Sequence, residues 1–260
     1  MKKMILWFLA AGLFSIAQAA YITFDGTGAL NSAAEWGGTL PNGNTTTGLV
    51  VSTVNAWTGN AWTDVAVRQT GGYVFAAASD FLMSGGCLYE FEDSRTNYPA
   101  YTNLYVSGKL QLWSNTDTSE LRILSGNVRV GTIEMMINDT IDLRNGILRA
   151  GAFANNPNGR INFLSGGQGH VIIDDMAAKN LGSLYLNFET GTQAQFTMSQ
   201  NAGGATLATV NWLIANGRVS INGVPAIGAS SYVITQNGLE TTLSIPVPQA
   251  VLRLVVFTGS

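Results

Sequence analysis

Apolar and polar residues alternate through the middle of the chain, in short runs that restart about every 20 residues. Leu121-Arg-Ile123, Ile141-Asp-Leu143 and Ile161-Asn-Phe163 repeat one apolar-polar-apolar pattern. Alternation with a period of two indicates strands with one buried face, and self-similarity near 20 residues is typical of a solenoid whose repeat is one coil. The pattern therefore predicts an all-β fold consisting of a single parallel β-helix.

Glycines precede many of the predicted strands at nearly the same interval. The set is Gly86, Gly108, Gly126, Gly146 and Gly166, separated by 22, 18, 20 and 20 residues. Apolar residues recur two and four positions after these glycines, which aligns Leu110/Leu112 with Val128/Val130 and Leu148/Ala150. Because glycine tolerates the backbone angles of sharp bends, we expect one glycine corner in each coil. Strands are predicted at 88–91, 104–106, 110–113, 121–124, 128–133, 141–143, 147–150, 161–164 and 171–173.

The two ends of the chain differ from these coils. Residues 20–60 are assigned to an N-terminal cap and the first coils, and residues 61–200 to the coils of the solenoid. Residues 201–246 are predicted to form a helix and hairpin cap, because helical spacing follows a candidate N-cap at Thr206 and Asn237-Gly238 lies between two alternating runs. The residues with helical spacing are Leu207, Val210, Leu213 and Ile214. Caps of this kind cover the unpaired strand edges at the ends of a solenoid.

Aromatic residues are concentrated before and within the first coils. Trp36, Trp57 and Trp62 either fold over the open end of the solenoid or form a platform on which sugar rings stack. Tyr98 and Tyr101 are further candidates for carbohydrate binding. Both interpretations of the three tryptophans remain open.

The first residues have the features of a secretory signal. Lys2 and Lys3 precede the apolar run Ile5–Ile16, and Ala17-Gln18-Ala19 is a small-x-small cleavage site. Residues 1–19 are therefore interpreted as a signal peptide, with an N-terminal anchor helix as the alternative. A secreted or cell-surface location follows, and we expect membrane contact only through the export or sorting step.

Charge and cysteine content exclude several classes of protein. The formal net charge is −3, charged residues make up 11% of the chain, and the basic residues are scattered singly, so we expect no nucleic-acid partner. Cys87 is the single cysteine, which leaves no intrachain disulfide, and its strand-like surroundings predict a buried core position.

The densest acidic group is a candidate metal site. Glu90 and Glu92 fall on the same side of a predicted strand, and Asp93 follows them, which is an arrangement of oxygen ligands suited to calcium. The alternative is a solvated edge that leads into a loop. No other cofactor is indicated.

Catalytic patterns are weak throughout. His170, interpreted as an exposed turn residue, precedes Asp174-Asp175, but adjacent residues on a strand face opposite sides. The chain has no G-x-S-x-G, P-loop, C-x-x-C or H-E-x-x-H motif, so we expect a protein that is not an enzyme. Single arginines within strands are predicted to form an outward ladder with nearby acids, serving solubility and edge protection: Arg122, Arg129, Arg144 and Arg149 with Glu120, Glu134, Asp139 and Asp142.

Together, the apparent signal peptide, the Trp36–Pro41 segment, the Leu-Ser-Gly coils and the closing hairpin resemble exported bacterial proteins of the PEP-CTERM type, with coils similar to those of autotransporter passenger domains. The resemblance implies a right-handed parallel β-helix, in agreement with the general bias of parallel crossovers. Members of that family end in a Val-Pro-Glu-Pro sorting tail. In residues 247–260, Val247-Pro248 matches the first two positions, whereas Gln249 and Ala250 replace Glu and Pro. This segment is either a degenerate or truncated sorting tail or an ordinary apolar terminal strand.

The sequence thus predicts an exported, non-catalytic β-solenoid of the cell surface or extracellular matrix, with a structural or adhesive role. Exopolysaccharide or cell-surface components are its expected partners. The alternatives are a carbohydrate-binding or polysaccharide-cleaving β-helix, and an inert stalk that spaces another component from the surface. An aromatic row or an acid cluster on one outward face would favour the carbohydrate alternative. The best candidates for an aromatic row are Tyr89, Tyr98, Tyr101 and Tyr105, although a loop separates Tyr89 from the other three.

Overall fold

The fold is that of a parallel β-solenoid with one short helix. The computed structural model describes residues 22–24, 61–63, 66–70, 75–77, 80–84, 87–92, 102–113, 118–154, 159–175, 184–199, 206–225 and 231–246. The elements are β1 (Ile22–Phe24), β2 (Ala61–Thr63), β3 (Ala66–Thr70), β4 (Phe75–Ala77), β5 (Phe81–Ser84), β6 (Leu88–Glu92), β7 (Leu104–Trp113), β8 (Glu120–Ser125), β9 (Asn127–Met135), β10 (Thr140–Leu143), β11 (Ile147–Phe153), β12 (Arg160–Phe163), β13 (His170–Ile173), β14 (Tyr185–Phe188), β15 (Gln195–Met198), α1 (Thr206–Ala215), β16 (Val219–Ile221), β17 (Val224–Pro225), β18 (Val233–Asn237) and β19 (Glu240–Ser244).

Two sheets share these strands, and the chain passes from one sheet to the other within each coil. Sheet A has the order β1-β3-β6-β8-β10-β12-β14-β16-β17, and sheet B has the order β18-β19-β15-β13-β11-β9-β7-β5-β2, with β4 also paired to β7. Pairing is parallel from β1 to β16. The predicted parallel β-helix is therefore confirmed.

Sheet B bends in the middle of its longer strands, β7, β9 and β11, which gives the coils that contain them three sides. In β9, Val128 and Val130 are buried, and so are Ile133 and Met135, whereas Gly131-Thr132 between them is half-buried. The buried positions shift by three residues at this point instead of two, so the strand must turn there to keep both halves facing the core.

Stacked registers fill the core with similar side chains from coil to coil. Ile141 lies between Leu121 and Ile161 in sheet A, and all three side chains are fully buried. Phe163 stacks on Phe188 with ring centroids 4.4 Å apart. Burial of each such side chain contributes about 2 kcal/mol relative to exposure, so the repeated apolar positions are the main stabilising term.

The corner between β10 and β11 requires glycine. Gly126 and Gly146 both have positive φ, at 131° and 98°, and they stack directly on one another. A Cβ at Gly146 would overlap the carbonyl oxygen of Gly126, which belongs to the coil below. The 20-residue spacing of this pair is thus the spacing of one coil corner above the next.

The predicted alignment of Gly108 with this corner is wrong. Leu110 is paired with Ile133, and the residue paired with Val128 is Leu104. Gly108 therefore lies in the bend of sheet B, not at the corner between the sheets. A coil has two places where the backbone turns and approaches its neighbour closely, and the single glycine series mixed the two.

Gly166 also lies off the glycine column. Three residues separate Leu143 from Ile147, whereas six separate Phe163 from His170 in the next coil. The extra residues lengthen the corner, and Gly166 has a φ of 68° with open space where a Cβ would be. Its glycine is needed for the turn and not for packing.

Antiparallel strands and the helix close the C-terminal end. β17 pairs antiparallel with β16, and β19 of the hairpin β18–β19 pairs antiparallel with β15, so antiparallel pairing ends the parallel stack in both sheets. The helix α1 buries Val210, Leu213 and Ile214, and Gly217 follows it with a φ of 65°. The predicted helix and hairpin cap is confirmed.

Other predictions have mixed outcomes. Cys87 is fully buried, as expected. The proposed N-terminal cap lies outside the described residues, apart from Ile22–Phe24, which forms β1. None of the helical residues described here makes a segment long and apolar enough to cross a membrane.

Candidate functional site

The outer face of sheet A carries one continuous line of polar side chains. Parallel registers place one residue from each of six successive strands, β6 to β16, in a single column. We call this column the polar ladder, and its members are Glu90, Arg122, Asp142, Asn162, Asn187 and Ser220.

Each member of the polar ladder contacts the next. Nη1 of Arg122 lies 3.0 Å from Oε2 of Glu90, and Nε of Arg122 lies 4.0 Å from Oδ2 of Asp142. Further along, Nδ2 of Asn162 donates to Oδ1 of Asp142 at 2.7 Å. The line continues from Asn187 to Asn162 at 3.3 Å and from Ser220 to Asn187 at 2.9 Å.

Three carboxylates surround the guanidinium of Arg122, in what we call the Arg122 cluster. Besides Glu90 and Asp142, Glu120 accepts from Nε and Nη2 of Arg122 at 2.7 and 2.6 Å. Burial and, next, the neighbouring carboxylate of Asp142 raise the pKa of Glu120 to about 7 against the opposing effect of Arg122. One cation thus stabilises a site with more negative charge than it can neutralise.

Tyr185 lies beside the polar ladder and is bracketed by arginines. The guanidinium carbon of Arg218 is 4.5 Å from the ring centroid, and that of Arg160 is 6.0 Å from it. Cation–π contacts of this kind occupy the ring, so its faces are not offered to a ligand.

A groove follows the bend of sheet B on the outside of the solenoid. It encloses about 180 Å³ and we call it the bend groove. Its polar lining comes from the outward positions of three strands and the residue after a fourth, and Gly131 and Gly151 form its floor. The polar lining residues are Tyr105, Ser107, Arg129, Arg149 and Asp174.

The two arginines of the bend groove differ in their partners. Nε of Arg149 donates to both carboxylate oxygens of Asp174, at 3.0 and 2.8 Å, and this hydrogen bonding raises the pKa of Arg149. The side chain of Arg129 is exposed, and no hydrogen bond or ion pair within the described part of the chain engages its guanidinium group. Tyr105, 41% exposed, stands one coil below it.

The predicted calcium ligands separate in the structure. Glu90 is 5% exposed and bonded to Arg122, whereas Glu92 is exposed beyond a bulge that follows Phe91. Asp93 lies outside the described residues. Within the residues described, His, Cys, Asp and Glu form no group of three or more suited to a metal ion. The calcium site stays a prediction.

Most of the predicted sugar-binding aromatics fall where the structure gives no description. Trp36, Trp57, Tyr98 and Tyr101 lie outside the described residues, and Trp62 lies in β2, which pairs with β5 in sheet B. The prediction for these five side chains stays untested.

The interpretation of His170 as an exposed turn residue is wrong. His170 is the first residue of β13, is half-buried, and its Nε2 lies 2.7 Å from Oγ1 of Thr197. Burial lowers its pKa. The lengthened corner takes in Gly166–Gly169 and ends before His170. His170 therefore lies in the sheet, where it pairs with Ile147.

The predicted arginine ladder is only partly formed. Arg122 has the expected acidic partners, but Arg149 pairs with Asp174 and not with a predicted acid. Asp139 is fully buried, and it accepts from the backbone N–H groups of Ser119 and Met136. It braces a turn instead of forming an outward ion pair.

Of the tyrosines proposed for an outward aromatic row, Tyr105 is exposed, whereas the choice of Tyr89 is wrong because its side chain is buried in the core. Sequence reasoning did not place Arg129 and Arg149 together with Tyr105. All three occupy the exposed outward position of their strands, one residue after a buried residue. The available signal was the alternation at Leu104–Val106 and Val128–Val130. It needed the register in which those two segments are paired, and the glycine alignment obscured that register.

Comparisons of the chain with protein-family models, with curated proteins and with solved structures find no match. Function is therefore inferred from the chemistry and geometry of the two outward surfaces.

Proposed function

We propose that this protein is an exported, non-catalytic β-solenoid of the cell surface or extracellular matrix, with a structural or adhesive role. The observation that carries the structural part is the polar ladder, whose side chains bond to one another from Glu90 to Ser220. Side chains engaged in this way stiffen the stack of coils. Because the polar side chains of this face are already bonded to one another, the face suits a structural role better than binding and converting a substrate.

Export is supported by the signal-like residues 1–19 and by the resemblance to PEP-CTERM-type proteins described above. A parallel solenoid without disulfides suits a secreted scaffold, because its stability comes from the stacked apolar core. We infer that the partly matching tail at 247–260 is a degenerate sorting signal, and that exopolysaccharide or cell-surface components surround the folded protein.

Fractionation of a Gram-negative host that expresses the full chain tests this proposal. We expect intact-mass analysis to show a mature chain beginning at Ala20 in the surface or matrix fraction. Leu9→Arg, which places a charge in the apolar run, should leave the full-length chain in the cytoplasm, whereas Leu9→Val should be processed normally. A wild-type chain that keeps residues 1–19 and stays in the cytoplasm would contradict export.

A carbohydrate-binding function is the second candidate, and the bend groove favours it. Arg129 and Tyr105 face solvent there without the mutual bonding found on sheet A. This function is compatible with an adhesive scaffold, because binding along one side leaves the rest of the solenoid unchanged.

A further inference from the structure

We propose that the bend groove binds an acidic oligosaccharide, a short chain of uronic acid residues that lies along the solenoid axis. The proposal deepens the adhesive part of the proposed function by naming a ligand class. It does not depend on export, because the groove is a property of the folded coils.

The floor of the bend groove is bare backbone. A Cβ at Gly131 would overlap the carbonyl oxygen of Ser107, and a Cβ at Gly151 would press on that of Gly131. Glycine is therefore required for the coils to stack at this bend. The consequence for a ligand is a shallow floor without side chains, on which a flat ring can lie.

The wall of the groove supplies the chemistry for a carboxylated sugar. Tyr105 offers an exposed ring, and the described residues include no aromatic or cationic group stacked on it. Arg129 follows one coil above, and Arg149 one coil above that. An amphipathic ring packs against the apolar face of a sugar, and a guanidinium binds a carboxylate through two parallel hydrogen bonds.

The free donors of the groove favour an anion. The guanidinium of Arg129 has no partner in the described part of the chain. Arg149 uses only Nε toward Asp174, so its terminal amino groups remain as donors. Asp174 closes one end of the groove, and it holds the Arg149 side chain in place.

The length of the groove suits a short oligomer. Its lining spans four successive coils, from Tyr105 and Ser107 to Asp174. Neighbouring strands lie about 4.8 Å apart, so the lining extends about 14 Å along the axis. Arg129 and Arg149 lie one coil apart. This spacing suits a ligand that carries one carboxylate on each repeating unit.

A glycan fits these features better than an acidic peptide does. Peptides commonly bind sheets by adding a strand to a free edge. At the bend, backbone groups are paired from coil to coil, as in Asp175 N–H to the carbonyl of Gly151 at 2.7 Å. Without a free edge, recognition depends on the ring of Tyr105 and the guanidinium groups, which suit the faces and carboxylates of sugars.

Calorimetric titration of the purified protein with a uronic acid oligosaccharide tests the proposal. We expect saturable binding that weakens at least about tenfold in Arg129→Gln and in Tyr105→Ala, with circular dichroism unchanged. Arg144→Gln is the matched control, because it removes one exposed arginine located outside the groove, and its affinity should equal that of wild type. The methyl-esterified oligosaccharide, which lacks the charge, should bind at least about tenfold more weakly than the acid.

Three results would overturn the inference. They are the absence of saturable binding, equal affinity in wild type and Arg129→Gln, and binding of poly-glutamate as tight as that of the uronic oligosaccharide. The assay uses protein in solution, so its failure leaves the export test unaffected, and a failure of export leaves this binding test valid.

Discussion

The outer face of sheet A and the bend groove of sheet B are built from the same stacked coils, yet they treat polar side chains differently. On sheet A, Arg122 bonds with Glu90 and Glu120, and the line of contacts continues to Ser220. In the groove, Arg129 occupies an equally regular outward position with no such partner in the described structure. Register places side chains in columns, and the identity of the neighbours in each column decides whether the surface is closed or open.

The largest effect is expected from a substitution at the corner between β10 and β11, because this corner joins the strands of both surfaces. Gly146→Ala places a Cβ against the carbonyl oxygen of Gly126 and forces an L-residue to a φ near 98°. We expect the free energy of unfolding to fall by more than about 3 kcal/mol, because both backbone overlap and strain contribute. Chemical denaturation monitored by circular dichroism measures this loss.

Gly238→Ala is the matched control for the corner. Gly238 also has positive φ, at 59°, but nothing lies within 4 Å of the position of its Cβ. The expected cost is about 1 kcal/mol, from backbone conformation alone. Equal losses in the two variants would show that coil stacking at Gly146 does not constrain the corner.

The strand pattern could be read from the sequence because burial in the coils follows strict alternation. Ile141 and Leu143 face the core between matching residues of the neighbouring coils, and nothing in that stretch interrupts the period of two. The closing hairpin was also readable, because Gly238 permits the positive φ of a tight turn, but the turn lies one residue later than the Asn-Gly pair: Asn237 ends β18 and pairs with Glu240. Local signals therefore predicted both the coils and their cap.

The two outward surfaces could not be predicted in the same way, because their composition depends on the register in which strands of neighbouring coils are paired. One residue more in β7 than in β9 at the bend places Leu104 beside Val128. Only that pairing brings Tyr105 next to Arg129. Arg149 and Asp174 are 25 residues apart in the sequence, and the chain between them includes the lengthened corner. They meet because β11 pairs with β13, which Asp174 directly follows. Small changes in coil length thus decide the composition of a column, and periodicity alone does not reveal them.

Paired arginine substitutions sharpen the comparison between the closed and the open surface. Arg122→Ala leaves three carboxylates without their cation, among them Glu90, which is 5% exposed. We expect a loss of about 2 kcal/mol in the free energy of unfolding at pH 8. Arg129→Ala removes the same atoms from an exposed position without a described partner and should change stability by less than about 0.5 kcal/mol. Urea titrations of both variants measure the difference, and similar losses would show that the Arg122 cluster does not brace sheet A.

The smallest expected effect is the pH dependence that Glu120 contributes on sheet A. Burial and Asp142 raise the pKa of Glu120 to about 7 in the folded protein, from 4.5 in the unfolded chain. Between these values the folded state holds a proton that the unfolded state has lost, so this group's contribution to stability falls as pH rises from about 4.5 to about 7. Glu120→Gln keeps the shape but cannot ionise, and it should raise the free energy of unfolding at pH 8 by about 1 kcal/mol.

Denaturation of wild type and Glu120→Gln across pH 4 to pH 8 measures this effect as a difference between two curves. The curves should meet near pH 4.5, where Glu120 is protonated in the folded state, and diverge as pH rises. Glu134→Gln, on sheet B, is the control, because that carboxylate is bonded to Lys109 and Gln111 instead of lying within the Arg122 cluster. Curves that stay parallel for Glu120→Gln, or that diverge equally for Glu134→Gln, would show that the excess carboxylates around Arg122 do not control the stability of this face.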